Sequence, residues 1–264
     1  MKKRHNDLSR SASLLAPEEA VWGFHPVGAM LRHRPEEVLT VFITPGRADG
    51  RREEIRNLAA DCGVRVERVA AMPLSEGEEL LHQGVMARIK PITHLSLEDL
   101  LLRLHSGPQS SKGPPLLLAL DSIQDPRNLG AIIRSAAAFG VNGLIIPKDR
   151  SAPLTGTVMK AAVGTLPLVD ICQVTNLAEA LARLKKHDFW IYGAGGEAPQ
   201  SLYATNFDGS VCLVLGNEQK GLRPLVRRQC DQLIAIPLAA GVESLNVAVA
   251  AGVILSEIRK RDRA

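Results

Sequence analysis

The stretch Leu116–Ala136, LLLALDSIQDPRNLGAIIRSA, decides the fold. LLLAL at 116–120 is a continuous apolar run, the pattern of a parallel strand covered on both faces. A short polar link follows, and Asp125-Pro126 then opens a helix, because Asp is a strong N-cap and Pro suits the first helical position. Leu129, Ile132, Ile133, Ala136 and Ala137 fall on one helical face, and the pattern predicts a helix to Phe139 that stops at Gly140. Arg127 and Arg134, seven positions apart, project from another face. Taken alone, Arg134 reads as a solvent-facing arginine and Asn128 as a capping side chain.

Working outward, the strand–loop–helix unit recurs. GLIIP (143–147), LPLVDI (166–171), FWIYGA (189–194), SVCLVLG (210–216) and QLIAIPL (232–238) read as strands, with helices between them and at the end. Alternating β and α elements predict an α/β fold built on a parallel sheet with helices on both faces. Upstream lies a smaller α/β unit over 21–91: a helix in HPVGAMLRH, a strand VLTVFIT (Val38–Thr44), a helix RREEIRNLAADCG ending at Gly63, and strands VRVERV and GVMARIKP. HSGPQSSKGPP, His105–Pro115, loses all apolar periodicity and reads as linker. The expected organisation is a disordered basic tail at 1–20, a small domain at 21–91, a linker at 92–115 and a large domain at 116–264.

Composition narrows the function classes. The 264 residues are 45% hydrophobic but only 3% aromatic, so the core must be built from Leu, Ile, Val and Ala. A net charge of +4 permits a polyanionic partner without requiring one. The two ends, MKKRHNDLSR and RKRDRA, each carry +3 and read as solvated termini. Cys62, Cys172, Cys212 and Cys230 lack CxxC spacing and a local His, which argues against a zinc site or a disulfide framework and fits a reducing cytosol. No apolar stretch reaches the ~20 residues of a membrane span. The basic N-terminus lacks a following apolar segment, so no secretory signal is expected.

Two further loops carry polar residues after apolar strands. In LVLGNEQKGL (Leu213–Leu222), Gly216 and Gly221 have the outer spacing of a phosphate-binding P-loop, but Leu222 and Arg223 stand where Lys-Ser/Thr is needed. The loop is better read as a close backbone approach to a ligand, with Glu218 as its polar handle, or else as a plain turn. In IPLAAGVESLNVAVAAG (Ile236–Gly252), Ser244 is expected to cap a helix running through Asn246 to Ile258, whose small residues near its start allow close packing. Gly193–Ala198, GAGGEA, matches the dinucleotide pattern G-x-G-x-x-A, with Glu218 some twenty residues on. Pro199 follows at once and the strand is the fourth of the series, so a nucleotide-dependent oxidoreductase is disfavoured.

NLGAIIRSA, GNEQKGL and ESLNVAVAAG, in this order and with about eighty residues between the first two, resemble the three motifs of SpoU-type (TrmH-family) RNA ribose 2′-O-methyltransferases of the SPOUT class. VWGFHPVGAMLRHRPEEV, HQGVMARIKP, PKDRSAPL and the VTNLAEAL segment are similar to members acting on large-subunit rRNA guanosine, so the likeness spans roughly 20–260. The resemblance implies a C-terminal parallel-sheet SPOUT domain with a deep trefoil knot, a rare exception to unknotted folds. It implies that 21–91 is a substrate (RNA)-binding domain, that S-adenosyl-L-methionine (SAM) is the cofactor, and that no metal takes part. It implies a cytoplasmic homodimer acting on rRNA of the large subunit or its precursor particle, with no membrane partner. Gly216, Ile236 and Leu245 would contact SAM, and Asn128, Arg134, Glu218, Ser244 and Asn246 would form the catalytic cluster, with Arg134 nearest the chemistry. Gln219 and Ala248 depart from the family's frequent Gly and Ser. The implied activity is methylation of a guanosine ribose 2′-OH in large-subunit rRNA. The alternatives are another rRNA or tRNA nucleoside, or a non-catalytic RNA-binding ribosome assembly factor.

Overall fold

The computed structural model describes residues 20–45, 50–73, 82–106 and 114–260. The tail expected at 1–20 lies outside these residues except for Ala20, which opens the first strand. The chain divides into two compact units, Met1–Ile92 with Leu154–Pro167, and Thr93–Pro153 with Leu168–Ala264.

In the first unit, β1 (Ala20–Trp22), α1 (Phe24–His33), β2 (Val38–Ile43), α2 (Gly50–Asp61), β3 (Arg65–Arg68) and β4 (Val85–Ile89) follow one another. They form a four-stranded sheet ordered β1-β4-β2-β3. β4 runs antiparallel to both neighbours, and β2 and β3 are parallel. Ala20, Trp22, Phe42 and Met86 are buried together in it. The segment Leu154–Pro167 belongs to this unit although it lies far downstream in sequence. Its helix α5 (Gly156–Ala161) begins under the Trp22 ring, where a Cβ at Gly156 would collide with that ring and with the Ala20 carbonyl oxygen. Arg34 Nε donates to the Pro167 carbonyl at 3.2 Å and ties the end of the segment to the C-terminal end of α1.

The second unit holds α3 (Leu97–Ser106), β5 (Leu116–Asp121), α4 (Pro126–Ala138), β6 (Gly143–Pro147), β7 (Asp170–Val174), α6 (Leu177–Lys185), β8 (Phe189–Ala194), β9 (Gln200–Ser201), β10 (Ser210–Gly216), α7 (Pro224–Arg227), β11 (Gln232–Ala235) and α8 (Val247–Lys260). Its seven strands are all parallel, in the order β7-β6-β5-β10-β8-β11-β9. The α/β class with a parallel sheet is therefore as the sequence predicts. The central strands are buried throughout, which is why LLLALD and VCLVL carry no polar alternation.

Three boundaries differ from expectation. The stretch taken as linker carries α3, whose Leu97, Leu100, Leu101 and Leu104 are buried among β5, β6 and α6 residues. LPLVDI does not start a strand: Leu166–Leu168 make a 3-10 turn within which Pro167 has no amide to donate, and β7 begins at Asp170. The strand expected over 232–238 ends at Ala235, before Pro237. α4 starts as predicted, with Asp125 Oδ1 accepting from the Arg127 amide at 2.8 Å and Pro126 at the first helical position.

Strand order places a crevice. The chain steps outward from β5 through β6 to β7, then crosses to the other side, where β10 inserts between β5 and β8. At such a reversal, neighbouring strands send their following segments apart, and ligands bind beyond the carboxyl ends.

Candidate active site

A cleft of about 470 Å³ opens where β8, β10 and β11 end, within the 300–1,000 Å³ range of small-molecule sites. Gly216, Glu218, Ile236, Ser244 and Leu245 line it, so five of the eight residues singled out from the sequence converge there. They come from the second and third motif loops, separated in sequence but adjacent at the strand ends.

The second motif forms a closed turn. Asn217 and Gly221 exchange backbone hydrogen bonds, N to O at 3.1 Å and 2.9 Å. The Asn217 side-chain oxygen accepts from the Gln219 and Lys220 amides at 3.0 and 3.2 Å, an Asx turn that satisfies two loop donors. Because the backbone of Gly221 and Leu222 folds back over Gly216, a Cβ at 216 would overlap it. Glycine at 216 is thus a packing requirement. Gln219 is not among the described residues with left-handed backbone, so its replacement of glycine introduces no strain.

Three side chains join the three motifs. Asn128 Nδ2, on the first turns of α4, donates to Glu218 Oε1 at 2.6 Å. Asn246 Nδ2 donates to Asn128 Oδ1 at 3.0 Å. Asn246 Oδ1 in turn accepts from the Ala248 and Val249 amides at 2.9 and 3.4 Å. Asn246 is therefore the cap of α8, which corrects the capping role expected for Ser244: the helix starts at Val247, two residues later than that role requires. Ser244 is instead exposed at the cleft wall. Asp125 caps α4, so Asn128 is released from capping and reaches Glu218.

Arg134 is not brought into this group. It is exposed on α4, six residues beyond Asn128, and makes no side-chain hydrogen bond or ion pair among the described residues. Six residues at about 100° each turn it some 120° away from Asn128 around the helix.

Several site residues escaped the sequence reading. Ala194–Ala198, set aside as a dinucleotide decoy, line the same cleft as the second motif. Glu197 and Glu243 add carboxylates to that of Glu218, against the cations of Lys220 and Arg227. Asp121, at the end of β5, is fully buried and accepts from the Arg223 amide at 2.8 Å and from Arg223 Nε at 2.5 Å. An acidic residue closing an otherwise apolar strand was the available signal.

Comparison with known proteins agrees with this geometry. A model of the SpoU rRNA Methylase family matches residues 115–256. A model described as RNA 2′-O ribose methyltransferase substrate binding matches residues 20–95. The chain is 44% identical to the 23S rRNA (guanosine-2′-O-)-methyltransferase RlmB of Pasteurella multocida, over 91% of this chain and 97% of that one. It is 43% identical to the protein of the same name from Pseudomonas aeruginosa, over 92% and 96%. Among solved structures, the SpoU methyltransferase AviRb from Streptomyces viridochromogenes in complex with AdoMet superposes with a TM-score of 0.75 at 25% identity, covering 93% of this chain and 90% of that one.

Proposed function

This chain belongs to the SpoU rRNA Methylase family, and from that premise we propose that it transfers a methyl group from SAM to the ribose 2′-OH of a guanosine in large-subunit (23S) rRNA. The observation that carries the reading is the Asn246–Asn128–Glu218 hydrogen-bond chain, which ties all three motif regions to one cleft.

The cleft suits SAM chemically. Glu197, Glu218 and Glu243 outnumber Lys220 and Arg227, leaving a formal charge of −1 that favours a cationic sulfonium. Gly216 lines the cleft where the turn backbone closes against it, and Ile236 and Leu245 supply apolar walls. We assign Gly216, Ile236 and Leu245 to cofactor binding. When bound, SAM supplies a methyl group already activated by its positive sulfur.

The remaining difficulty is the ribose hydroxyl, a weak nucleophile that must be aligned and relieved of its proton. Asn128 is held at both ends, donating to Glu218 and accepting from Asn246, so the Glu218 carboxylate is fixed at the cleft edge. Ser244 also lines the cleft and adds a hydroxyl. A guanidinium is a donor with no acceptor, so the base role is not assigned to Arg134. We assign it to stabilising the developing alkoxide or clamping the neighbouring phosphate, with a substrate phosphate or a water taking the proton.

The same reading gives residues 21–91 the RNA-binding role, supported by the substrate-binding match at 20–95. It carries with it the deep trefoil knot, a homodimer and a cytoplasmic location; no described helix is long and apolar enough to cross a membrane. The test is a methyl-transfer assay with labelled SAM and separate large-subunit rRNA, small-subunit rRNA and tRNA transcripts. Label in 2′-O-methylguanosine from large-subunit rRNA alone is expected. Label in another nucleoside or RNA would keep the chemistry and replace the substrate. No label, even with precursor particles, would favour the non-catalytic assembly factor.

A further inference from the structure

We propose that Asp121 and Arg223 are positioning residues that hold the second-motif turn in its cofactor-binding shape. The inference rests on the reading of the cleft as a SAM site. Among the described residues, Asp121 is the buried charged side chain of the core, with none of its surface exposed, whereas Arg223 is 37% exposed at its side chain.

Both carboxylate oxygens of Asp121 accept from Arg223, Oδ2 from its amide and Oδ1 from its Nε, and Oδ1 also accepts from Ser122 Oγ at 3.4 Å. One residue further on, the Ser122 carbonyl accepts from Asn217 Nδ2 at 3.0 Å. Ser122 is held at φ +68°, a left-handed conformation that L side chains rarely adopt and that persists only where surrounding contacts over-determine it. The end of β5 therefore grips the turn at both of its ends, at Asn217 and at Arg223. Everything between them, Glu218 to Leu222, lines the cleft.

The pair's cost argues for a positional role. Dehydrating a carboxylate is unfavourable, and apolar residues of similar size often serve stability as well or better. What an apolar pair cannot do is fix a backbone amide and a guanidinium at set positions across a sheet gap. β5 and β10 run side by side, with Asp121 opposite Gly216, so the carboxylate sits where it can bridge to the returning strand of the turn. The Asp121–Arg223 link thereby sets where Gly216 and Glu218 present themselves, without either of its members lining the cleft.

The test uses full-length wild type, Asp121→Asn, Arg223→Lys and Arg223→Gln. SAM affinity is read by calorimetric titration, and amide hydrogen exchange is read at Gln219, Lys220 and Gly221 and at strands remote from the turn. Asp121→Asn is expected to weaken SAM binding at least tenfold and to speed exchange at the three turn amides. β6 and β7 should show only the smaller change that the variant's overall destabilisation brings. Arg223→Lys, which keeps the charge and the backbone donor, is expected to fall between. Should Asp121→Asn fail to fold, Arg223→Gln carries the same comparison from the more exposed partner. Unchanged affinity with unchanged turn protection would overturn the proposal. So would uniformly faster exchange over the whole sheet with SAM affinity intact, since that marks a purely structural role. Failure of the wild type to bind SAM would overturn the functional reading and the cofactor half of the proposal, while the exchange data would still decide whether Asp121 holds the turn.

Discussion

The turn Gly216–Leu222 is held from two sides, and the two holds differ in kind. Behind it, the carboxylate of Asp121 is wholly buried and spends both oxygens on Arg223. In front, Asn128, Glu218 and Asn246 are linked by hydrogen bonds that lie open to solvent. Removing one partner of a buried pair is unfavourable because a charge is left uncompensated, and here the 37% exposure of Arg223 lets water offset part of that cost. A solvated hydrogen bond contributes roughly 0.5–1.5 kcal/mol net, since water replaces the lost partner. The rear hold therefore belongs to the fold. The front hold can be rearranged at little cost, which the catalytic role proposed for these side chains requires.

The sharpest way to test this division is to remove exposed groups proposed to act in catalysis, whether inside the front cluster or apart from it, and look for activity lost without stability. Arg134→Ala is expected to lower kcat by about 10²–10³, the scale of losing one transition-state hydrogen-bond donor, with an unchanged melting temperature because Arg134 is exposed. Arg134→Lys separates its possible roles, since a bidentate clamp is not met by an ammonium. Near-wild-type activity in that variant would remove the clamp and leave a simple positive charge. A large drop in melting temperature for Arg134→Ala would place this residue with the rear hold and break the comparison.

Glu218→Ala comes next, with an expected loss of about 10²-fold in kcat/KM and a melting temperature within about 2 °C of wild type. The size assumes that Glu218 both orients the Asn128 amide and tunes the cleft's charge, and about 1 kcal/mol of stability corresponds to 2–4 °C in a chain of this length. A destabilisation comparable to that of Asp121→Asn would show the front and rear holds to be one structural unit.

Asn246→Ala is the mixed case. Its side-chain oxygen caps α8 while its amide reaches Asn128. Loss of the cap costs about 1 kcal/mol. Loss of the front link is expected to reduce activity about tenfold, on the scale of one hydrogen bond. Asn246→Asp keeps the acceptor for the cap and removes the donor, so it should recover stability without recovering activity. Chemical denaturation beside steady-state kinetics separates the two.

Legibility from sequence followed the same division between local and tertiary causes. α4 was readable to its cap because Asp125, Pro126 and the Leu129–Ile133 spacing are all local signals. β5 and β10 were readable because strands buried on both faces leave unbroken apolar runs. α3 was missed because the polar Ser-Gly-Pro run after it masked the spacing of Leu97, Leu100, Leu101 and Leu104. The membership of Leu154–Pro167 in the small unit depends on Trp22 and Arg34, which lie more than a hundred residues upstream. At the site, Gly216, Glu218 and Asn246 stand out as motif residues, while Asp121 shows locally only as the acidic end of an apolar strand, and its role needs Arg223, 102 positions away. Motif residues repeat a local pattern around a ligand. The residue that holds the motif in place needs only a partner in space.

The smallest effect expected is a change in thiol chemistry, and it reports on the rear hold alone. Burial, with Asp231 adding to it, pushes the Cys230 thiol up to about 12. Burial does the same to Cys172, also to about 12, and raises Cys212 further still. Burial penalises the thiolate, so these thiols stay protonated throughout the neutral range, and the thiolate is the species that reacts. At pH 8 a thiol of pKa about 12 is thiolate only about once in 10⁴, so alkylation of the folded protein should be slow at all three, and fast once the chain is denatured. Cys230 Sγ lies with Leu222 against Gly193, directly behind the turn. Loosening the rear hold by Asp121→Asn should therefore raise Cys230 labelling a fewfold, read by peptide mass spectrometry, while Cys172 stays protected. Asn128→Ala should leave Cys230 labelling unchanged, because its bond to Glu218 faces solvent. Equal labelling in both variants would mean that the turn moves as one piece whichever side is released, and the distinction between a holding side and a working side would fail.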